Sequence, residues 1–403
     1  MNTSVRQAFR ELLDGFRDKR RKVCLALIVG IASGLAGAGF RVGVYEMNAI
    51  RVNNPWLLYT LPIAGPLIFC MYRLARYRTE PGVDTIFSSI RSGEKLRFPQ
   101  APLVFLASCI THLCGGSAGR EGAALELGAC IGAKWARLLG WGKKFKKLSV
   151  LCGMVGAFSA LFGAPLTAFF FVMEITGPKV FHYRGGFFSF LSALTAFFLL
   201  VPLGLVPPAF SVSVLPKFDI DHLFLILILA AGCGLVGIFY CLAMRFIPLL
   251  LSALTTNGYL RAFLGAVSIL ALTLLSGAQQ CCGLSANMLL GALGGYAVAA
   301  DPLRKTLLTA ITLGSGFKGG DLVPALIVGA STGAFLAGPL GLPGPFCAAF
   351  GLIAIFCVVT RCRLAAIFLA IELFGRSMAP SAIGIAIMAY IFSGNWSLFR
   401  IRD

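Results

Sequence analysis

The 403-residue chain is 58% hydrophobic and only 13% charged, about half the charge of an ordinary soluble domain, which excludes a soluble globular protein and points to a chain that crosses a membrane several times. Its formal charge of +19 does not argue for a nucleic-acid partner. The basic residues gather where apolar segments end, the pattern by which lysine and arginine orient membrane helices toward the cytoplasm.

In chain order, residues 5–22 (VRQAFRELLDGFRDKRRK) read as a basic amphipathic helix on the membrane surface. No small-residue cleavage site follows a short apolar core, so this is not a signal peptide. A spanning helix needs ~20 mostly apolar residues, and such stretches recur at 23–40, 56–71, 187–206, 223–243, 263–275 and 346–359. Several are too short or too glycine-rich for plain spans, which predicts broken, half-length helices. The clusters RDKRRK (17–22), RLARYR (73–78), KKFKK (143–147), PKVFHYR (178–184) and RIRD (400–403) mark the cytoplasmic side, both termini included.

Three glycine-bearing breaks stand before apolar helices: EPGVDT (80–85), GGSAGREGA (115–123) and GSGFKGGDLVP (314–324). A broken helix offers free N–H groups and a positive dipole end at its start, and such an end attracts anions. Glu121 lies at one of these starts, where its carboxylate would occupy an anion's own place. An ionisable residue within a membrane points to function: protonation would empty the site and admit an anion, coupling anion movement to proton movement. Pairing with Arg120, itself read as scaffold, is the plainer alternative for Glu121. Asp321 reads as an N-cap, and Lys318 as a solvated lysine or part of an electropositive vestibule.

The chain also repeats itself. LELGACIGA (125–133) lines up with LIVGASTGA (326–334), and APLTAFFFVMEITG (164–177) with CRLAAIFLAIELFG (362–375), at offsets of 201 and 198 residues. The break at Gly163-Ala164-Pro165 lies between two basic clusters and faces outside, whereas its counterpart carries Arg361 and Arg363 and faces the cytoplasm. The copies are therefore inverted, as in transporters whose site lies at the repeat interface. Glu174 and Glu372 are equivalent in the two copies, and duplication favours a structural role at helix ends. The thirteen cysteines show no ligand spacing and read as small packing residues, and His112, His182 and His222 lie too far apart for a metal site. No metal and no cofactor is expected.

GREGA (119–123) resembles the GREGP motif of the CLC family of chloride channels and proton-coupled anion antiporters. FSALFGAPLTAFFFVMEI, GGDLVP, TRCRLAAIFLAIEL and FSGNWSLF match further family segments in order, so the resemblance runs from about Arg21 to Arg400. GFKGGDLVP is most similar to the bacterial fluoride/proton antiporter branch. The resemblance implies an all-α polytopic membrane protein, a CLC-type inverted repeat with broken helices. It implies a homodimer in the cell inner membrane or plasma membrane, with one anion pathway per subunit.

The divisions expected are a basic segment 1–22, a first half-repeat 23–215, a second, inverted half-repeat 216–399 and a tail 400–403, without the family's regulatory domain. Carried over by position, Glu121 matches the gating glutamate. Gly82, Val83, Asp84, Gly119, Arg120, Gly122, Gly320, Asp321, Leu322, Val323 and Phe399 are the implied anion-binding positions, with Tyr390 a nearby alternative to Phe399 as central aromatic. The departures are specific. Val83 has no hydroxyl to offer chloride, Val323 stands in place of a threonine expected in the fluoride branch, Phe399 replaces a tyrosine, and Ile175 stands where chloride antiporters carry an inner glutamate. The implied function is fluoride/proton antiport, with fluoride, protons and the lipid bilayer as partners; a chloride channel or chloride/proton exchanger is the alternative. A reading from another class, an intramembrane hydrolase using Ser315 and His112, lacks a third orienting group.

Overall fold

In hydrocarbon no water satisfies the backbone, so an apolar chain closes its hydrogen bonds within helices. The computed structural model describes residues 3–77, 82–92, 95–177, 185–206, 210, 220–394 and 396–398. The expected positions Phe399, PKVFHYR and RIRD lie outside the described residues, as does the side chain of Asp84. Among the described residues there are sixteen α-helices and no strand. Among the described residues six helical segments are long and apolar enough to cross a membrane. Two of them, Phe145–Phe162 and Leu322–Leu340, lie outside the stretches expected from the sequence, because glycine and small residues dilute their hydropathy. The expected stretches 187–206 and 346–359 form the shorter helices Gly186–Leu200 and Gly344–Thr360, and Pro165–Thr176 is a half-length piece. The chain is a multi-pass membrane protein.

The helices, in order, are α1 (Thr3–Asn53), α2 (Leu61–Leu74), α3 (Val83–Ser92), α4 (Gln100–Leu113), α5 (Glu121–Leu138), α6 (Lys143–Phe162), α7 (Pro165–Thr176) and α8 (Gly186–Leu200). They continue as α9 (Ile220–Leu254), α10 (Gly258–Ser276), α11 (Ala286–Leu293), α12 (Asp301–Gly314), α13 (Leu322–Leu340), α14 (Gly344–Thr360), α15 (Arg363–Phe374) and α16 (Ala379–Ser393). One expectation changes at once. The N-terminal amphipathic segment is not a separate surface helix but runs unbroken into the first span, in a helix of 51 residues and roughly 75 Å. No glycine, proline or cap separates residue 22 from 23, so the helical hydrogen bonds continue.

The repeat is visible as matched packing. Helices α5 and α6 approach through Gly128 against Gly153 and Gly132 against Ser149, and α13 and α14 through Gly329 against Gly351 and Gly333 against Cys347. A Cβ at any of these six small-residue glycines would stand well inside 3.0 Å of a carbonyl oxygen on the opposite helix. Small residues let backbones close in this way where lipid removes the hydrophobic drive to associate. The core is built around these pairs, and α14 is buried along its length from Phe346 to Thr360.

After each pair the chain breaks. Gly163 is left-handed with φ 66°, and its equivalent Arg361 takes the same conformation with φ 59°. A non-glycine residue there costs about 1–2 kcal/mol. The Arg361 guanidinium offsets it by donating to the Tyr390 hydroxyl at 2.9 Å and lying over that ring. The helices that follow, α7 and α15, cap each other. Glu372 accepts from the Leu166 and Thr167 amides at 2.9 and 2.8 Å, and Glu174 accepts from Leu364 and Ala365 at 3.2 and 2.9 Å. Equivalent rings Phe170 and Phe368 stack between them, centroids 4.5 Å apart and 4° from parallel. The duplicated glutamates are thus helix-end acceptors, as their duplication suggested.

Candidate functional site

Helix α4 ends in a turn at Gly115 (φ 90°), and α12 ends in an equivalent turn at Gly316 (φ 100°). Each turn releases a short loop that leads into the next helix, α5 or α13. The two loops meet in antiparallel register: the Gly119 amide donates to the Gly320 carbonyl at 2.7 Å and the Gly320 amide to the Gly119 carbonyl at 2.8 Å. They are pinned symmetrically from behind. Ser117 N donates to the Thr312 hydroxyl at 3.1 Å, and its counterpart Lys318 N donates to the Thr111 hydroxyl at 3.2 Å. The amides of Gly119 and Gly320 are therefore spent on each other. These two glycines, expected to bind an anion, contribute shape instead.

Symmetry fails at the start of α5. Glu121 is the first residue of α5, and the position 201 residues later is Leu322. The Glu121 side chain is 1% exposed. Its Oε2 accepts from the Arg120 amide at 2.5 Å, and its Oε1 accepts from the Val323 amide. One carboxylate thereby lies across two helix N-termini. This alters the reading of Asp321: it holds the N-cap position of α13 but makes no capping hydrogen bond. The Val323 amide, which an N-cap oxygen would take, is already taken by Glu121. A Cβ at Gly119 or Gly320 would stand within 3.0 Å of the Glu121 carboxylate, which is why glycine flanks it on both loops.

A third helix start joins them. Val83 opens α3 and lies against Gly122, where an added Cβ would meet Val83 Cγ2 at 3.4 Å. Together these starts border a cavity of about 190 Å³ lined by Gly82, Val83, Val104, Gly122, Glu126, Leu313, Phe317, Lys318, Gly319 and Asp321. Among the positions read from the sequence, Gly82, Val83, Gly122 and Asp321 reach this cavity, Arg120 and Val323 present amides to Glu121, and Leu322 is buried in the core. Lys318 lines the cavity with its ammonium 4.9 Å from the Tyr72 ring centroid. Tyr390 is held by Arg361 at the α14–α15 break, with Arg363 also over its ring. Ile175 is 1% exposed and apolar.

Three groups escaped the sequence reading. Glu126 lies one turn beyond Gly122 and accepts from Gln100 Nε2 at 2.5 Å; both side chains are buried, at 3% and 1%. The signal was a second carboxylate in REGAALELGA, four residues after a glycine and hence on the same helical face. The Tyr240 hydroxyl donates to the Asp321 carbonyl at 2.5 Å, and nothing in the apolar stretch 223–243 marked it. Lys305, fully buried, donates to the Cys281 and Gly283 carbonyls and to Ser285 Oγ at 3.0, 3.1 and 2.8 Å. The hydrolase pairing has no support in the geometry: Ser315 Oγ donates to Ile311 O at 2.6 Å, and both ring nitrogens of His112 face backbone carbonyls, of Ser108 and Ala118.

The arrangement has counterparts. The family model described as voltage gated chloride channel matches residues 63–394. A chloride/fluoride channel protein of Pseudomonas syringae pv. tomato is 26% identical over 387 residues, covering 94% of this chain and 86% of its own length. The crystal structure of a CLC-type fluoride/proton antiporter superposes with a TM-score of 0.90 at 27% identity, over 96% of this chain and 99% of that one. A slow cyanobacterial Cl⁻/H⁺ antiporter, 20% identical, shares the fold with a TM-score of 0.77 over 93% of this chain and 94% of that one. The chain belongs to the voltage-gated chloride channel family, the CLC-type anion channels and antiporters.

Proposed function

We propose that this chain exports fluoride in exchange for protons, with Glu121 as the gate. The observation that carries the reading is the Glu121 carboxylate lying across the N-termini of α5 and α13, on amides that a small anion would otherwise take. Protonation removes its charge and weakens those hydrogen bonds, because a carboxylate is much the stronger acceptor. The freed N–H groups then receive an anion, and the proton on Glu121 travels the other way. A site this close-set, with no room for a Cβ at Gly119 or Gly320, favours the smaller halide. The fluoride/proton antiporter of the same fold lends the reading further support.

The protein acts as a homodimer with one pathway per subunit, each built from half-repeats 23–215 and 216–399, with both termini in the cytoplasm. Reconstituted liposomes loaded with fluoride or chloride and followed by ion-selective electrodes test the selectivity. Fluoride efflux accompanied by proton uptake is the expected result, and chloride leaving as fast as fluoride refutes it. The Glu121→Gln variant keeps the shape of the side chain and removes the titrating group, so fluoride-driven proton uptake falls by about a hundredfold or more. Unchanged uptake in that variant removes Glu121 from the gating role.

A further inference from the structure

We propose that Glu126 is the inner proton-transfer residue of this chain, the carboxylate that carries a proton between Glu121 and the basic face of the molecule; this rests on the reading of Glu121 as a proton-linked gate. Symmetry separates Glu121, Glu126, Glu174 and Glu372 into two kinds. Glu174 and Glu372 occur as an equivalent pair and cap each other's helices. Glu121 and Glu126 do not occur in pairs, since their counterparts 201 residues later are Leu322 and Ile327. A carboxylate kept in one half only, in a buried place, is not explained by the packing that the halves share.

Position points the same way. Glu126 lies five residues beyond Glu121 on α5, about 7.5 Å along the axis, and borders the same cavity as Gly122. A cavity of about 190 Å³ has room for several waters, each taking about 30 Å³, and Glu126, Lys318 and Asp321 supply the polar groups on an otherwise apolar wall. The charged groups across it are Lys318 and Asp321, on the loop that leads into α13. Toward α4 the carboxylate meets Gln100, whose amide nitrogen donates to Oε1. Being neutral, this donor orients the carboxylate without removing its charge, and the positive charge near it is that of Lys318.

From the cavity a line of groups leads outward. The Lys318 ammonium lies over Tyr72, Tyr72 meets Tyr77 with centroids 5.9 Å apart, and Arg97 lies 4.7 Å over Tyr77. The step is a simple transfer. Once protonated, Glu121 leaves the Arg120 and Val323 amides and turns into the cavity that its neighbour Gly122 borders. There it gives its proton through water to the Glu126 carboxylate, leaving Glu121 ionised and Glu126 neutral. Glu126 then releases the proton to the cavity's water, which passes it on toward the basic face, and returns to the carboxylate.

The test measures proton uptake and fluoride efflux together in liposomes holding wild type, Glu126→Gln, Glu126→Asp or Gln100→Leu. Glu126→Gln still pairs with Gln100 but cannot carry a proton, so it lowers the proton-to-fluoride ratio by about tenfold or more, and Glu126→Asp restores most of that ratio. A wild-type ratio in Glu126→Gln overturns the proposal. A fall in proton and fluoride flux in equal proportion, in both Glu126→Gln and Gln100→Leu, makes Glu126 a tie between α4 and α5 and also overturns it. Wild type that moves fluoride without protons overturns the antiport reading itself, a result distinct from either.

Discussion

Glu121 shows how one residue takes its meaning from its neighbours. In sequence it is a carboxylate beside an arginine between glycines; in space its partner is not the Arg120 guanidinium but two amides, one of them 202 residues away on Val323. The glycines are the condition for this. Gly119→Ala places a methyl within 3.0 Å of the carboxylate oxygens and drives Glu121 off the helix starts, and a displacement near 1 Å at a reacting centre costs about a hundredfold. Fluoride efflux of Gly119→Ala is therefore expected to fall by about that factor. Gly338→Ala, where a Cβ meets nothing within 4 Å, leaves efflux at the wild-type level and serves as the control. Efflux unchanged in Gly119→Ala would show that the carboxylate position does not govern transport.

Among the elements, the reciprocal caps of α7 and α15 can be separated from the transport site. Each glutamate satisfies two amides of the opposite helix start, and loss of a helix cap costs about 1–2 kcal/mol. Glu174→Ala and Glu372→Ala should each lower thermal stability in detergent by a similar amount, while transport per folded molecule stays near wild type. A variant that keeps its melting temperature but loses proton uptake would instead assign that glutamate to the proton route. The half-length of α7 and α15 was legible, because Gly163-Ala164-Pro165 and the arginines at 361 and 363 interrupt the apolar pattern. The left-handed backbone at Arg361 was not, since arginine gives no sign of positive φ and only the Tyr390 contact makes it tenable. The continuity of α1 was misread for a related reason: a change from amphipathic to apolar composition is not a break in hydrogen bonding.

At the scale of the molecule, basic clusters stand at the ends of apolar segments in the sequence, and the proposed topology, with those clusters in the cytoplasm, is the one the positive-inside rule predicts. A protease-cleavable tag at the N-terminus is accordingly cut in inside-out vesicles and protected in right-side-out ones. The opposite pattern inverts the whole topology, and with it the direction in which Glu126 would deliver protons. The two copies of the repeat meet at the site through the Gly119–Gly320 pair, so any motion of one loop is felt by the other. The crossing is symmetric in its backbone and asymmetric in its charge.

What the sequence determined by itself was whatever depends on local pattern. Apolar length specified four of the six span-length helices, glycine and proline marked the breaks, the offsets of 201 and 198 residues revealed duplication, and Glu121 stood out as a charge at a helix start. Membrane chains are unusually legible in these respects, because a backbone that cannot meet water must become helix. The tertiary structure decided whatever depends on the meeting of distant segments. It put the Glu121 carboxylate on the Val323 amide, spent the Gly119 and Gly320 amides on each other, relieved Asp321 of capping and brought Glu126, Val83 and Lys318 to one cavity. Those outcomes follow from how closely the two glycine-bearing loops approach, a quantity set by pairs of residues about two hundred positions apart.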